Sequence, residues 1–186
     1  MTTVFIGGSR NVSHLDEDVR QRLDRIIEKH FPVIIGDANG ADKAVQTYLK
    51  SRGYHNVEVF CMEGKCRNNV GPWPSRAVPA PHNTRDFKYY AAKDRVMAAE
   101  ASVGFMLWDG KSMGTLANAA RLIGRRKKVV VYNASEKTFA DLTCEADWRE
   151  FLSSCPPDLR ERLEHLVSAE EPLSQVQSHP GDLFEK

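Results

Sequence analysis

Three stretches of this chain set glycines, hydroxyls and charged groups in an order suited to holding an anion. They are Gly7-Gly8-Ser9-Arg10, Gly36-Asp37-Ala38-Asn39-Gly40-Ala41-Asp42 and Asp109-Gly110-Lys111-Ser112-Met113-Gly114-Thr115. Each follows a short apolar run and opens a helical pattern. Glycine lets backbone approach a ligand closely, the first N–H groups of a helix lack partners, and the helix dipole favours negative charge. In the first stretch Gly8 provides the turn, Ser9 a hydroxyl donor and Arg10 a guanidinium for phosphate. In the second, Gly36, Asp37, Asn39, Gly40 and Asp42 are the ligand candidates, with backbone N–H groups from Asn39 to Ala41 facing a phosphate or ribose. Asp37 or Asn39 equally suits a helix cap, and Asp42 either meets ribose hydroxyls or complements the helix dipole. The third stretch carries the most specific arrangement, with Ser112, Met113, Gly114 and Thr115 at a helix start after a buried strand. No Gly-Lys-Ser/Thr ends it, so it is not a Walker A loop. Asp109 is its nearest carboxylate, a candidate catalytic acid or base whose alternative role is to cap its own loop.

These loops need rigid elements behind them, and the apolar pattern supplies the elements. Strands are expected at 2–6, 33–35, 57–60, 102–108 and 128–132, with helices at about 16–30, 40–51, 88–100 and 113–123. Gly53 and Gly124 mark helix ends, and Pro32 marks an exit into a strand. Unbroken apolar strands alternating with helices imply a parallel sheet covered on both faces. The expected fold is α/β: a doubly wound parallel sheet of about five strands with helices on both faces. Short C-terminal helices follow at 145–153 and 157–168. In such folds ligands sit beyond the carboxyl ends of the strands, near the switch point, where all three loops fall. That placement implies one shared, nucleotide-sized pocket.

The rhythm stops between residues 61 and 87, a polar, aromatic, Pro- and Gly-rich insertion expected as a structureless loop or lid. Trp73, His82, Arg85, Phe87, Tyr89 and Tyr90 either stack on a base, anchor this loop or form a subunit interface. Lys93 and Asp94 read as a solvated helix face, and Arg125-Arg126-Lys127-Lys128 as a solvated basic turn. Residues 169–186 read as a flexible tail.

Composition narrows the classes. A formal net charge of +1 gives no global pull toward nucleic acid or anionic membrane. No apolar run approaches the roughly 20 residues of a membrane span, and the N-terminus reads as a strand rather than a signal peptide. The four cysteines, Cys61, Cys66, Cys144 and Cys155, are expected as reduced thiols of a cytoplasmic protein. Their spacing lacks any C-x-x-C, so no metal and no cofactor is expected.

On the Gly-Gly-Ser-Arg motif at 7–10, Gly-Asp-Ala-Asn-Gly-Ala-Asp at 36–42, Ala-Lys-Asp-Arg-Val-Met at 92–97 and Trp-Asp-Gly-Lys-Ser-Met-Gly-Thr at 108–115, the chain resembles the SLOG superfamily. This is the Rossmann-like group that includes the Smf/DprA and LOG proteins, and the small YspA/YpsA-related branch looks closest. The resemblance runs from about residue 2 to residue 132, leaving 133–168 as a helical extension. It implies a nucleotide or nucleotide-derived ligand and a homodimer. LOG members hydrolyse the N-glycosidic bond of nucleoside monophosphates with an arginine and a glutamate. Arg95 falls where that arginine is expected, making it, with Asp109, the catalytic candidate. The glutamate position holds Asn118, which can act neither as a carboxylic acid nor as a carboxylate. The resemblance therefore implies a nucleotide sensor or a weak N-glycosidase. The alternatives are DprA-like binding of single-stranded DNA and a catalytically silent interaction protein.

Overall fold

The computed structural model describes residues 2–80 and 87–168. Its strands, in chain order, are β1 (Val4–Gly8), β2 (Val33–Ile35), β3 (Val57–Met62), β4 (Ser75–Val78), β5 (Val103–Trp108), β6 (Lys128–Asn133) and β7 (Thr138–Leu142). They form one sheet in the order β4-β3-β2-β1-β5-β6-β7, parallel except for β7 against β6. Val4 pairs with Val33 on one side and Val103 on the other, so the winding reverses at β1. The carboxyl ends of β1, β2 and β5 therefore open onto the switch point, as the fold class requires.

Helices cover both faces because the central strands are apolar on both sides. Helices α1 (Glu17–Glu28) and α2 (Ala41–Ser51) bury Val19, Leu23, Val45 and Leu49 against Ile6, Ile35 and Leu107. On the other face lie α3 (Phe87–Glu100), α4 (Met113–Ile123), α5 (Glu145–Ser153) and α6 (Pro157–Ser168). They close over Phe5, Phe60, Met106 and Val131, with Met97, Leu116, Leu122 and Leu163 facing in. This Rossmann-type α/β architecture is the one the apolar pattern implies.

Among the described residues seven strands rather than about five make up the sheet. The insertion contributes β4, a four-residue edge strand between Pro74 and Pro79 whose side chains are mostly exposed; proline is tolerated at such an edge, which is why the stretch read as loop. The second addition, β7, is also partly exposed and pairs antiparallel after a tight turn, so it lacks the unbroken apolar signature of the buried strands. The cysteine expectation is corrected too: Cys61 and Cys66 form a disulfide. Positive φ at Glu63 and Gly64 reverses the chain between them and brings their Cα atoms to 4.9 Å. Cys144 and Cys155 are free thiols. His82, Arg85, the Phe87 side chain and the 169–186 tail lie outside the described residues. Among the described residues no helix is long and apolar enough to cross a membrane.

Candidate ligand-binding site

The three loops line one cavity of about 640 Å³ at the switch point, within the range of small-molecule sites, about 300–1,000 Å³. Gly8 to Asn11 contribute from the end of β1, Gly36, Ala38 and Asp42 from the β2–α2 turn, and Ser112, Gly114 and Thr115 from the start of α4. Tyr90, Lys93, Asp94 and Met97 of α3 form a further wall, with Arg67 and Asn118.

Hydrogen bonds tie the first loop to the third. Ser9, which is buried, donates its hydroxyl to Asp109 Oδ2 (2.9 Å), and Asn11 Nδ2 donates to the same oxygen (2.8 Å). The backbone N–H groups of Lys111 and Ser112 donate to Asp109 Oδ1 (3.1 and 2.7 Å). Burial raises the Asp109 carboxyl, but these four donors outweigh it and hold the group below the usual carboxylate range. An ionised carboxylate with both oxygens occupied has no proton to give. Asp109 thus caps its own loop, and the Ser9 hydroxyl takes part in the same contact. Ser112 caps α4 and accepts from the Thr115 hydroxyl (3.0 Å), leaving the first-turn N–H groups of Met113 and Gly114 toward the loop. The Met113 side chain packs on the core instead of lining the cavity.

The second loop divides its residues between support and lining. Gly40, at φ +80°, sits against the Arg10 backbone, where a side chain would collide with the Arg10 carbonyl. Asp37 is buried beneath the cavity wall, and Arg67 grips it through Nη2–Oδ1 (2.7 Å), Nε–Oδ2 (3.2 Å) and its own backbone N–H (3.0 Å). Burial pushes Asp37 up, yet these bonds and nearby Lys93 bring it below the ordinary value. Asn68 donates to the Asp37 carbonyl (2.9 Å) and to Asn39 Oδ1 (3.0 Å). Asn39 and Asp37 thus hold the 66–70 segment rather than cap α2. The buried Gln46 adds to this by donating to the Gly36 carbonyl and accepting from the Val70 N–H. Asp42 accepts from the Ala38 N–H (3.0 Å), and burial pushes its carboxyl up to about 6.

Lys93 corrects the expectation of a solvated helix face. Its side chain is 5% exposed and stands among Asp94 (2.9 Å), Asp37 (3.9 Å) and Asp42. Burial lowers its affinity for a proton, but the surrounding carboxylates reverse the effect and keep it charged. Gly36 makes room for this cluster, because a Cβ there would lie 2.5 Å from Asp42 Oδ2 and 2.7 Å from Lys93 Nζ. Asp94 Oδ2 accepts from Asn118 Nδ2 (3.2 Å), and Asn118 Oδ1 accepts in turn from Arg121. Burial raises Asp94, but Lys93 and Arg121 hold it ionised. A signal for Lys93 was available: it lies at the i+4 position from Tyr89 and the i−4 position from Met97, both buried, so helical spacing puts all three on one stripe. Arg95, two residues on, points about 200° around the helix from Lys93. It is half-buried and not among the cavity-lining residues.

Of the aromatic candidates, Tyr90 alone reaches the cavity among the described residues, with the Arg67 guanidinium 4.6 Å and that of Arg10 5.7 Å from its ring centre. Trp73 is buried and donates Nε1 to the Tyr54 carbonyl, and Tyr89 donates its hydroxyl to Glu63 (2.6 Å). Both anchor the insertion. In the basic turn, Lys127 Nζ donates to the carbonyls of Ala98 and Ala99, closing the C-terminal end of α3.

The fold is similar to that of DNA processing protein A. The protein from Streptococcus pneumoniae superposes with a TM-score of 0.54 at 13% identity, over 83% of this chain and 57% of that one. This chain thus spans little more than half the length of that relative. The Helicobacter pylori protein, whose structure is described for its single-stranded DNA binding mode, gives a TM-score of 0.52 at 13% identity, over 91% of this chain and 82% of that one. No family model matches the sequence, and no curated protein matches it. At 13% identity the likeness establishes the Rossmann-type fold.

Proposed function

We propose that this cavity binds a nucleotide or nucleotide-derived ligand through its phosphate, in a protein of the SLOG superfamily near its YspA/YpsA-related branch. The observation that carries the reading is the convergence of all three glycine loops on one cavity of ligand size. The phosphate site lies between the first turn of α4 and Arg10, an exposed guanidinium on the cavity wall. Lys111 adds a second exposed cation.

Binding is favoured over hydrolysis by the same geometry. Asn118 stands at the expected glutamate position, Asp109 accepts four hydrogen bonds within its loops, and Arg95 is not among the residues that line the cavity. A nucleotide sensor fits these residues better than a phosphoribohydrolase. The test is a thermal-shift panel of nucleoside mono-, di- and triphosphates against the wild type and Gly114→Glu, whose carboxylate would occupy the anion site. A nucleotide-dependent rise in Tm that Gly114→Glu abolishes supports the reading; no response across the panel overturns it.

The DNA-binding description of the Helicobacter pylori relative favours a second reading, single-stranded DNA binding. Its measurement is a gel shift with a labelled oligonucleotide at two salt concentrations. Affinity falling steeply with salt supports it, and absence of a shift at low salt refutes it.

A further inference from the structure

Among the described residues four carboxylates stand in or beside the cavity; two are held by several donors and a third is buried. Asp109 has both oxygens filled by four donors. Asp37 is 2% exposed and clasped by Arg67. Asp42 is buried, with Oδ2 taken by the Ala38 N–H. Asp94 differs. Its side chain is 21% exposed on the cavity wall, and the contacts on its oxygens are one from Lys93 on Oδ1 and one from Asn118 on Oδ2. A carboxylate has about four lone-pair sites, so Asp94 can still accept from donors entering the cavity.

Its position relative to the anion site is set by α4. Asn118, which holds Asp94 Oδ2, lies three to four residues after Gly114 and Thr115. That is about 5 Å of helix rise, the scale of the gap between a 5′-phosphate and the hydroxyls of its own ribose. Lys93 fills the space among the three acids, and among the described residues no acidic, His or Cys cluster suits a metal ion. The open acceptor capacity of Asp94 suits hydroxyl donors.

We propose that Asp94 receives the ribose hydroxyls of the bound ligand, with Lys93 and Asn118 as positioning residues, so that the site selects ribonucleotides over 2′-deoxyribonucleotides. This rests on the phosphate-binding reading above and deepens it. A hydroxyl donated to a charged acceptor contributes about ten- to a hundredfold in affinity. Asp94→Asn keeps the shape but gives up the charge and half of the acceptor capacity, while Lys93 retains Asp37 and Asp42 as partners.

The experiment is isothermal titration of the four ribonucleoside 5′-monophosphates and their 2′-deoxy counterparts into the wild type, Asp94→Asn and Asn118→Ala. Circular dichroism and Tm verify folding. The expected result is a ribo-over-deoxy preference of tenfold or more in the wild type, falling below about threefold in Asp94→Asn, with affinity for the ribonucleotides reduced more than affinity for their 2′-deoxy counterparts, which keep the 3′-hydroxyl. Asn118→Ala should reduce the preference less, since Lys93 still orients the carboxylate. Equal wild-type affinity for ribo and 2′-deoxy ligands overturns the assignment of Asp94 and leaves the phosphate reading standing; that comparison needs no variant to fold. A wild-type preference that Asp94→Asn preserves also overturns it. Binding of neither set, together with no response across the panel of mono-, di- and triphosphates, refutes both readings.

Discussion

Replacing Arg67 with alanine removes two side-chain hydrogen bonds from Asp37, at 2.7 and 3.2 Å, and leaves a carboxylate that is 2% exposed. Breaking a buried ion pair from one side costs about 3–5 kcal/mol. Two features of the site lower that figure. Arg67 is itself 34% exposed, and Lys93 remains 3.9 Å from Asp37 Oδ1, so about 2–3 kcal/mol is expected. Asp37→Asn should cost less, about 1–2 kcal/mol, because the freed guanidinium can turn to water. Urea unfolding of both single variants and the double variant closes a thermodynamic cycle. The double variant should be less destabilised than the sum of the singles by about 1 kcal/mol or more. The pair also has a pH signature. Asp37 is held below 3.8, so its contribution is present above that value and is lost as the pH falls through its depressed folded value. Arg67→Ala should weaken this acid limb. A cost below about 1 kcal/mol for Arg67→Ala, or strict additivity, would refute the reasoning that Arg67 exists to hold the cavity wall on Asp37.

Three further outcomes follow from the same cluster. Asp42 is raised from 3.8 to about 6 in the folded protein, so its contribution to stability falls as the pH rises through that window, by about 3 kcal/mol in all. Asp42→Asn should remove this trend, so the stability difference between wild type and variant should shift toward the variant from pH 4 to pH 7; a flat difference in urea titrations contradicts it. Gly36→Ala places a methyl group 2.5 Å from Asp42 Oδ2 and 2.7 Å from Lys93 Nζ, and should cost about 1–3 kcal/mol by overpacking. A Tm unchanged within error would show that the charged cluster gives way freely. Trp73→Phe keeps an aromatic ring but loses the pyrrole half of the indole with its bond to the Tyr54 carbonyl, at an expected cost of about 2–3 kcal/mol in urea unfolding. Intact nucleotide binding in that variant would fit an anchor, whereas selective loss of binding would point to base contact.

The sheet was legible because its strands are buried on both faces. Val33 to Ile35 and Phe105 to Trp108 read as strand from composition alone, and the switch point then follows from the alternation with helices. The edge strands β4 and β7 were not, since half-exposed edges carry little apolar pattern. The three loops were visible through their glycines. What individual side chains do in them was less so, because it depends on partners far along the chain. Ser9 and Asp109 lie 100 residues apart and satisfy each other. Asp37 is held by Arg67, 30 residues further along and in a segment that looked structureless. Lys93 misled because a charge on a helix is usually solvated, and its buried neighbours Tyr89 and Met97 are the corrective clue.

The central claim is that three loops serve one ligand. Backbone amide chemical shifts report on all three at once, with a ribonucleoside 5′-monophosphate titrated into isotopically labelled protein. The account predicts concerted, saturable shifts at Gly8 to Asn11, Ala38 to Asp42 and Met113 to Thr115, with one dissociation constant. Shifts confined to a single loop, or shifts lying outside all three, would contradict it.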